Sequence, residues 1–343
     1  MARFWTVTVD FPVSEMAAIN SHEVRLHAAK LWRAKAAPFE NGITNQVLSG
    51  WLLHDGNTVI SELPNGSFQA CDSTSGKPIW LTSPASKPQE LCAQEISPTG
   101  VLAEVSTNGS LCFRTLPDLR EQGLVSAPEE IYAVRFSGDG QRFLTVNQND
   151  TIRIWDSNTK VEVDHFDGKF PACLSTDGHT AVAPAPHGVI VLRDTLRRRN
   201  LAVIPFTGWG THDLELSPDG SLLAVASNDS LIRLWGVPSG RMVGTLRGHL
   251  TGVEALAFAP DGKTLVSVAN HGDVKFWQVA TGQEMLSFRL DIPWPNRVCF
   301  SGDGTTVLVT GGSSPGERQG AIRLWRAPSW NEIAAEEQRG FRQ

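Results

Sequence analysis

Gly312-Ser313-Ser314-Pro315-Gly316 has the GxSxG spacing that raises a nucleophilic serine on a sharp strand-to-helix elbow. Here the pentapeptide falls in a Gly- and Pro-rich insertion between two extended runs, so Ser314 is read as part of a loop and not as a nucleophile. The nine histidines, at positions 22, 27, 54, 165, 179, 187, 212, 249 and 271, show no HExxH or His-x-His spacing. The five cysteines, Cys71, Cys92, Cys112, Cys173 and Cys299, are odd in number, contain no CxxC pair and read as small buried hydrophobes. No metal, cofactor, disulfide framework or catalytic residue is therefore expected, and no pair of carboxylates stands out for acid–base work.

The elements that would have to position any site are short strands. The 343 residues include 31 Gly, 20 Pro and 11 Trp with only 19% charged side chains, a composition suited to strands and turns rather than helices. A net charge of −6 provides no basic field for phosphate backbones, so nucleic acid is not an expected partner. The run Arg197-Arg198-Arg199 is short enough to be a solvated edge or turn. The opening MARFWTVTVDFPVSEM lacks the apolar core of a signal peptide and no later stretch has the length of a membrane span, so no membrane insertion and a reducing cytoplasmic location are expected.

A repeat organises the chain. Asp-Gly, once Thr-Gly, recurs at 55–56, 99–100, 139–140, 177–178, 219–220, 261–262 and 303–304, in steps of 44, 40, 38, 42, 42 and 42 residues. Three residues before each pair stands an apolar side chain (Leu52, Ile96, Phe136, Leu174, Leu216, Phe258, Phe300), read as one buried column. Apolar alternation on both sides of the turn makes each unit begin as a β-hairpin. A third strand ends at Cys71, Arg114, Trp155, Arg193, Trp235, Trp277 and Trp325. Six residues before these stand Asn65, Asn108, Asn149, His187, Asp229, His271 and Gln319, which mark the turn between second and third strands. A fourth strand fills most of the remaining gaps. Such four-stranded units bury both faces only by stacking radially, and seven close a ring.

The segments TIRIWDSNTK, LIRLWGVPSG, DVKFWQVATG and AIRLWRAPSW resemble the strand that ends in Trp-Asp in WD-repeat proteins. The resemblance covers roughly residues 47–330, with degenerate repeats of the bacterial type, and implies an all-β, seven-bladed β-propeller of four-stranded antiparallel blades. In that family a Gly-His histidine, a Ser or Thr, an Asp and the Trp form a hydrogen-bonded cluster within a blade. Gly248-His249, Ser267 and Trp277 match it here, with His271 in the Asp position. Residues 1–46 lie outside the repeat, with a ring-closing strand expected over 4–9 and an amphipathic helix over 14–36; a worn extra blade is the alternative. Residues 331–343 form a C-terminal tail.

What the resemblance implies about function is a non-catalytic scaffold for a protein or peptide, monomeric by itself. One alternative is a regulatory or sensory module acting with a kinase in trans; another is an enzyme built on the central channel. Strand order puts the turns between second and third strands on the same end of the ring as the loops entering each first strand. Trp209, Trp294, Asn65, Asn108, Asn149, His187, Asp229, His271, Glu317, Arg318 and Gln319 are accordingly expected on one partner-binding face. The position four before each Asp-Gly pair places Trp51, Glu95, Arg135 and Glu215 on the channel wall, where Glu95 and Arg135 can pair.

Overall fold

The computed structural model describes residues 49–326, apart from 54, 64, 74, 83–90, 107–108, 207–209, 293 and 313–319. Seven antiparallel sheets follow one another along the chain, each with its strands in chain order. Blade 1 holds β1 (Ser49–Leu52), β2 (Thr58–Glu62), β3 (Phe68–Asp72) and β4 (Pro78–Leu81); blade 2 holds β5 (Leu91–Ile96), β6 (Val101–Ser106), β7 (Leu111–Thr115) and β8 (Arg120–Val125). Blade 3 is β9 (Ile131–Phe136), β10 (Arg142–Asn147), β11 (Thr151–Asp156) and β12 (Glu162–Asp167). Blade 4 is β13 (Cys173–Leu174), β14 (Thr180–Ala185), β15 (Val189–Asp194) and β16 (Arg199–Pro205). In blade 5 come β17 (Thr211–Leu216), β18 (Leu222–Ser227), β19 (Leu231–Gly236) and β20 (Arg241–Arg247). Blade 6 comprises β21 (Val253–Phe258), β22 (Thr264–Ala269), β23 (Asp273–Gln278) and β24 (Gln283–Arg289), and blade 7 comprises β25 (Trp294–Phe300), β26 (Thr306–Gly312) and β27 (Gly320–Arg326). Among the described residues blade 7 has three strands and the other six blades have four.

The Asp-Gly hairpins form for a local reason. At Ser217-Pro218-Asp219-Gly220 the Ser217 hydroxyl donates to Asp219 Oδ1 at 2.5 Å, the Ser221 N–H donates to the same oxygen at 3.0 Å, and the Gly220 N–H closes on Ser217 O at 2.8 Å. Gly220 sits at φ +69°, a left-handed position that a Cβ would strain. Ser137 with Asp139 and Ser301 with Asp303 repeat the arrangement.

Strand register joins two of the sequence columns into one rung. Phe136 pairs with Phe143, which pairs with Trp155; Leu216, Leu223 and Trp235 align in the same way, as do Phe258, Leu265 and Trp277. Each rung packs on the preceding blade. Phe143 and Trp155 lie on Phe113 and Val105 of blade 2, and Phe258, Leu265 and Trp277 lie on Ala224, Ile232 and Leu234 of blade 5. The ring closes where Val59 of blade 1 meets Leu308 and Ile322 of blade 7. Of the apolar column, Ile96, Leu174, Leu216 and Phe258 are buried, while Leu52, Phe136 and Phe300 are half-buried against the same clusters. The expected closing strand 4–9, the helix 14–36 and the tail 331–343 lie outside the described residues.

Candidate functional site

The first strand of every blade lines the channel, and there three long side chains from three blades converge. Glu95 of β5 is buried, and its carboxylate accepts from Arg135 Nη1 of β9 at 2.7 Å. From β25, Arg297 adds a two-pronged contact, Nη2 to Oε1 at 2.5 Å and Nη1 to Oε2 at 3.0 Å. Burial alone would raise the Glu95 carboxyl, yet the charges and hydrogen bonds of Arg297 and Arg135 outweigh it and hold the group below its ordinary value. Blade 7 is thereby tied to blades 2 and 3 past blade 1.

Asp213 and Glu215 of β17 face the same channel. The N–H groups of Leu256 and Leu214 donate to Asp213 at 2.8 and 3.0 Å, but burial still pushes its carboxyl up to about 6. Glu215 has no such donor; burial and then the Asp213 charge take it up to about 8. Arg297 and Asp213 were missed in the sequence, although each stands two residues before a channel position (Cys299 and Glu215) and hence on the same side of its strand. Trp51 is a correction: it is only 3% exposed, wedged with Phe68, Ile60 and Leu102 between blades 1 and 2, so it does not form channel wall. An indole on β1 gains more from the apolar interface than from a channel lined with charge. Cys71 and Cys173 are buried, Cys112 and Cys299 half-buried, and all four are free thiols.

At one end of the channel the loop between β12 and β13 carries Phe170, whose ring lies 5.3 Å from the Arg135 guanidinium carbon and whose N–H donates to the Tyr132 hydroxyl at 3.3 Å. Phe170, Tyr132, Ala93, Ala133 and Arg135 border a cavity of about 200 Å³. The same end of the ring carries Trp294, 37% exposed with its ring 6.1 Å from that of His271, and Leu250, 93% exposed in the loop before β21. Nearby, His212 Nδ1 contacts Glu254 Oε2 at 2.9 Å and Asn270 Nδ2 donates to Glu254 Oε1 at 2.7 Å, linking blades 5 and 6.

The polar column divides. Asn65 is spent in its own turn, accepting from the Ser67 N–H and hydroxyl at 3.0 and 2.6 Å. Asp229 accepts from Arg233 at 2.6 Å, from the Ser227 hydroxyl and from the Leu231 N–H. Asn149, His187 and His271 are exposed, the two histidines at φ +67°. Trp209, Asn108, Glu317, Arg318 and Gln319, and Ser314 with them, lie outside the described residues.

Inside blade 6 the Trp277 indole N–H donates to Ser267 Oγ at 2.7 Å, Ser267 Oγ meets His249 Nε2 at 2.6 Å, and His249 Nδ1 meets Asp273 Oδ2 at 2.8 Å. His271 is thus not the fourth member. Its backbone makes the left-handed turn, and Asp273, at the start of β23, supplies the carboxylate from two residues further on. Blade 3 keeps half of the cluster, with Trp155 Nε1 donating to Thr145 Oγ1 at 3.0 Å, whereas Trp235 Nε1 of blade 5 is buried without a partner. Among the described residues no three metal-ligating side chains converge and no helix is long and apolar enough to cross a membrane.

Seven stacked sheets, a shared Trp rung and a His-Ser-Trp-Asp cluster define the propeller class whose repeats end in that Trp. Residues 122–156, 205–236 and 240–278 match the WD domain, G-beta repeat family, each stretch running from the outer strand of one blade to the third strand of the next and including Trp155, Trp235 or Trp277. Over 120 residues the chain is 28% identical to Protein LST8 homolog of Drosophila melanogaster, which covers 33% of this chain and 38% of that protein. The protein is a WD-repeat β-propeller.

Proposed function

We propose that the protein is a non-catalytic interaction scaffold that holds a protein or peptide partner on the face carrying the turns between second and third strands, with the channel mouth at its centre. One observation carries this: the two exposed aromatic side chains among the described residues, Phe170 and Trp294, both stand on that face, which also carries the exposed Leu250. Aromatics of this kind anchor interfaces because they bury large area at low entropic cost. The opposite face presents the Asp-Gly turns, whose carboxylates are occupied by their own turns, as at Asp139, Asp219 and Asp303. Four free thiols suit a reducing compartment such as the cytoplasm. Affinity capture with the intact protein and with Trp294→Ala, compared by quantitative mass spectrometry, tests the assignment. A partner retained by the first and depleted from the second supports it, and equal recovery on both argues for another surface.

A further inference from the structure

We propose that the pocket at the channel mouth receives an acidic residue of a partner's extended segment, its carboxylate on Arg135 and a neighbouring apolar side chain between Tyr132 and Phe170. The proposal rests on the partner lying on this face.

The cavity is the first ground. Its volume of about 200 Å³ exceeds the ~150 Å³ that admits a benzene-sized body, so one aliphatic or aromatic side chain fits. Tyr132, Ala93, Ala133, Val134 and Phe170 give it largely apolar walls, and Gln94 and Arg135 are the polar residues of its lining.

The second ground is the donor balance. A guanidinium offers five N–H donors. Arg135 gives one to Glu95 and keeps 38% of its side chain exposed, while Arg297 is engaged with the same Glu95 and is 31% exposed. Among the described residues Glu95 is the one carboxylate hydrogen-bonded to both guanidiniums, and the Arg135 cation, with donors to spare, lies over the Phe170 ring 5.3 Å from its centroid. A partly exposed guanidinium with unused donors takes a carboxylate, rather than a cation, as its matching group.

The other titratable groups on this wall leave the Arg135 hydrogen-bond donors free, although the Asp213 charge acts on the guanidinium through space. Asp213 is held by the backbone N–H groups of Leu214 and Leu256, and Glu215, beside it on β17, is largely protonated at neutral pH. Cys173 and Cys299, the thiols facing them from β13 and β25, are held protonated by burial.

The probe is a positional-scanning library of N-acetylated, C-amidated octapeptides, read by fluorescence polarisation on the intact protein. Selection of Asp or Glu adjacent to Leu, Met or Phe is expected. Arg135→Gln, which leaves the Arg297–Glu95 pair in place, should remove the acidic preference and weaken the selected peptide roughly tenfold or more. Phe170→Ala should erase the apolar preference and spare the acidic one, with unchanged circular dichroism in both variants. Preference for basic or phosphorylated residues, or for the same peptides only as free C-terminal acids, overturns the chemistry. An acidic preference that survives Arg135→Gln overturns the site, and if Trp294→Ala then still weakens binding, the face stands and only the pocket falls. Absence of any binding overturns the pocket whatever the captured partner shows.

Discussion

Replacing Glu95 by Gln removes the carboxylate that is hydrogen-bonded to both guanidiniums. Breaking a buried ion pair by deleting one partner costs about 3–5 kcal/mol, because the survivors are left uncompensated in a poorly solvated site. Here Glu95 is buried, but Arg135 and Arg297 remain about a third exposed and recover part of their hydration. The expected loss is therefore about 2–3 kcal/mol. For comparison, the pair Arg120–Asp118, 3.7 Å apart with side chains 82% and 59% exposed, should contribute under about 0.5 kcal/mol. Urea unfolding followed by tryptophan fluorescence measures both. Because the folded-state pKa of Glu95 is depressed, its contribution is fully present above the unfolded value of about 4.3 and is lost as the pH falls through the folded value. Wild type and Glu95→Gln should thus converge in acid. The double variant Glu95→Gln/Arg297→Gln should be less destabilised than the sum of its singles by about 1 kcal/mol or more. A loss below about 1 kcal/mol at pH 7, or strict additivity, would refute the view that this cluster ties blade 7 to blades 2 and 3.

Glu215→Gln should act with the opposite sign: its folded pKa of about 8 lies above the unfolded value, so wild type loses stability as pH rises from about 4.3 to 8, and the variant should gain about 1–2 kcal/mol at pH 9 and nothing at pH 4 in thermal melts. Ser267→Ala should cost about 2–4 kcal/mol, since it orphans both Trp277 Nε1 and His249 Nε2. Trp235→Phe, which deletes an indole N–H that has no partner, should cost less than Trp277→Phe in the same denaturation assay. Trp294→Ala should weaken a captured partner by about 2 kcal/mol while leaving the melting temperature within a degree or two, measured by calorimetry and by scanning fluorimetry.

The fold was legible because its determinants are local and repeated. Every one of the seven hairpin turns carries its Gly and five of them (Ser97, Ser137, Ser175, Ser217, Ser301) also carry the Ser, and the spacing from Phe136 through Asp139-Gly140 to Trp155 places apolar and indole side chains on one rung. Glu95 and Arg135 were readable as a pair because they occupy the same position in neighbouring repeats. Arg297 was not, because it meets Glu95 across 202 residues and past an intervening blade, a distance that no within-repeat pattern encodes. Trp51 was misread for a related reason: a column defined by register says which rung a residue shares, whereas the volume left by Phe68 and Leu102 decides whether an indole enters the core. The fourth member of the blade 6 cluster was not legible because the usual position holds His271, while the carboxylate that meets His249 Nδ1 comes from Asp273, two residues later.

The most direct test of the scaffold account is site-specific photo-crosslinking, with a benzoylphenylalanine placed in turn at His271, Asn149 and Leu250 on one face and at Asp139, Asp219 and Asp261 on the other. The account predicts that one and the same partner is captured from the first three positions and from none of the last three. Capture confined to Asp139, Asp219 and Asp261 would contradict it.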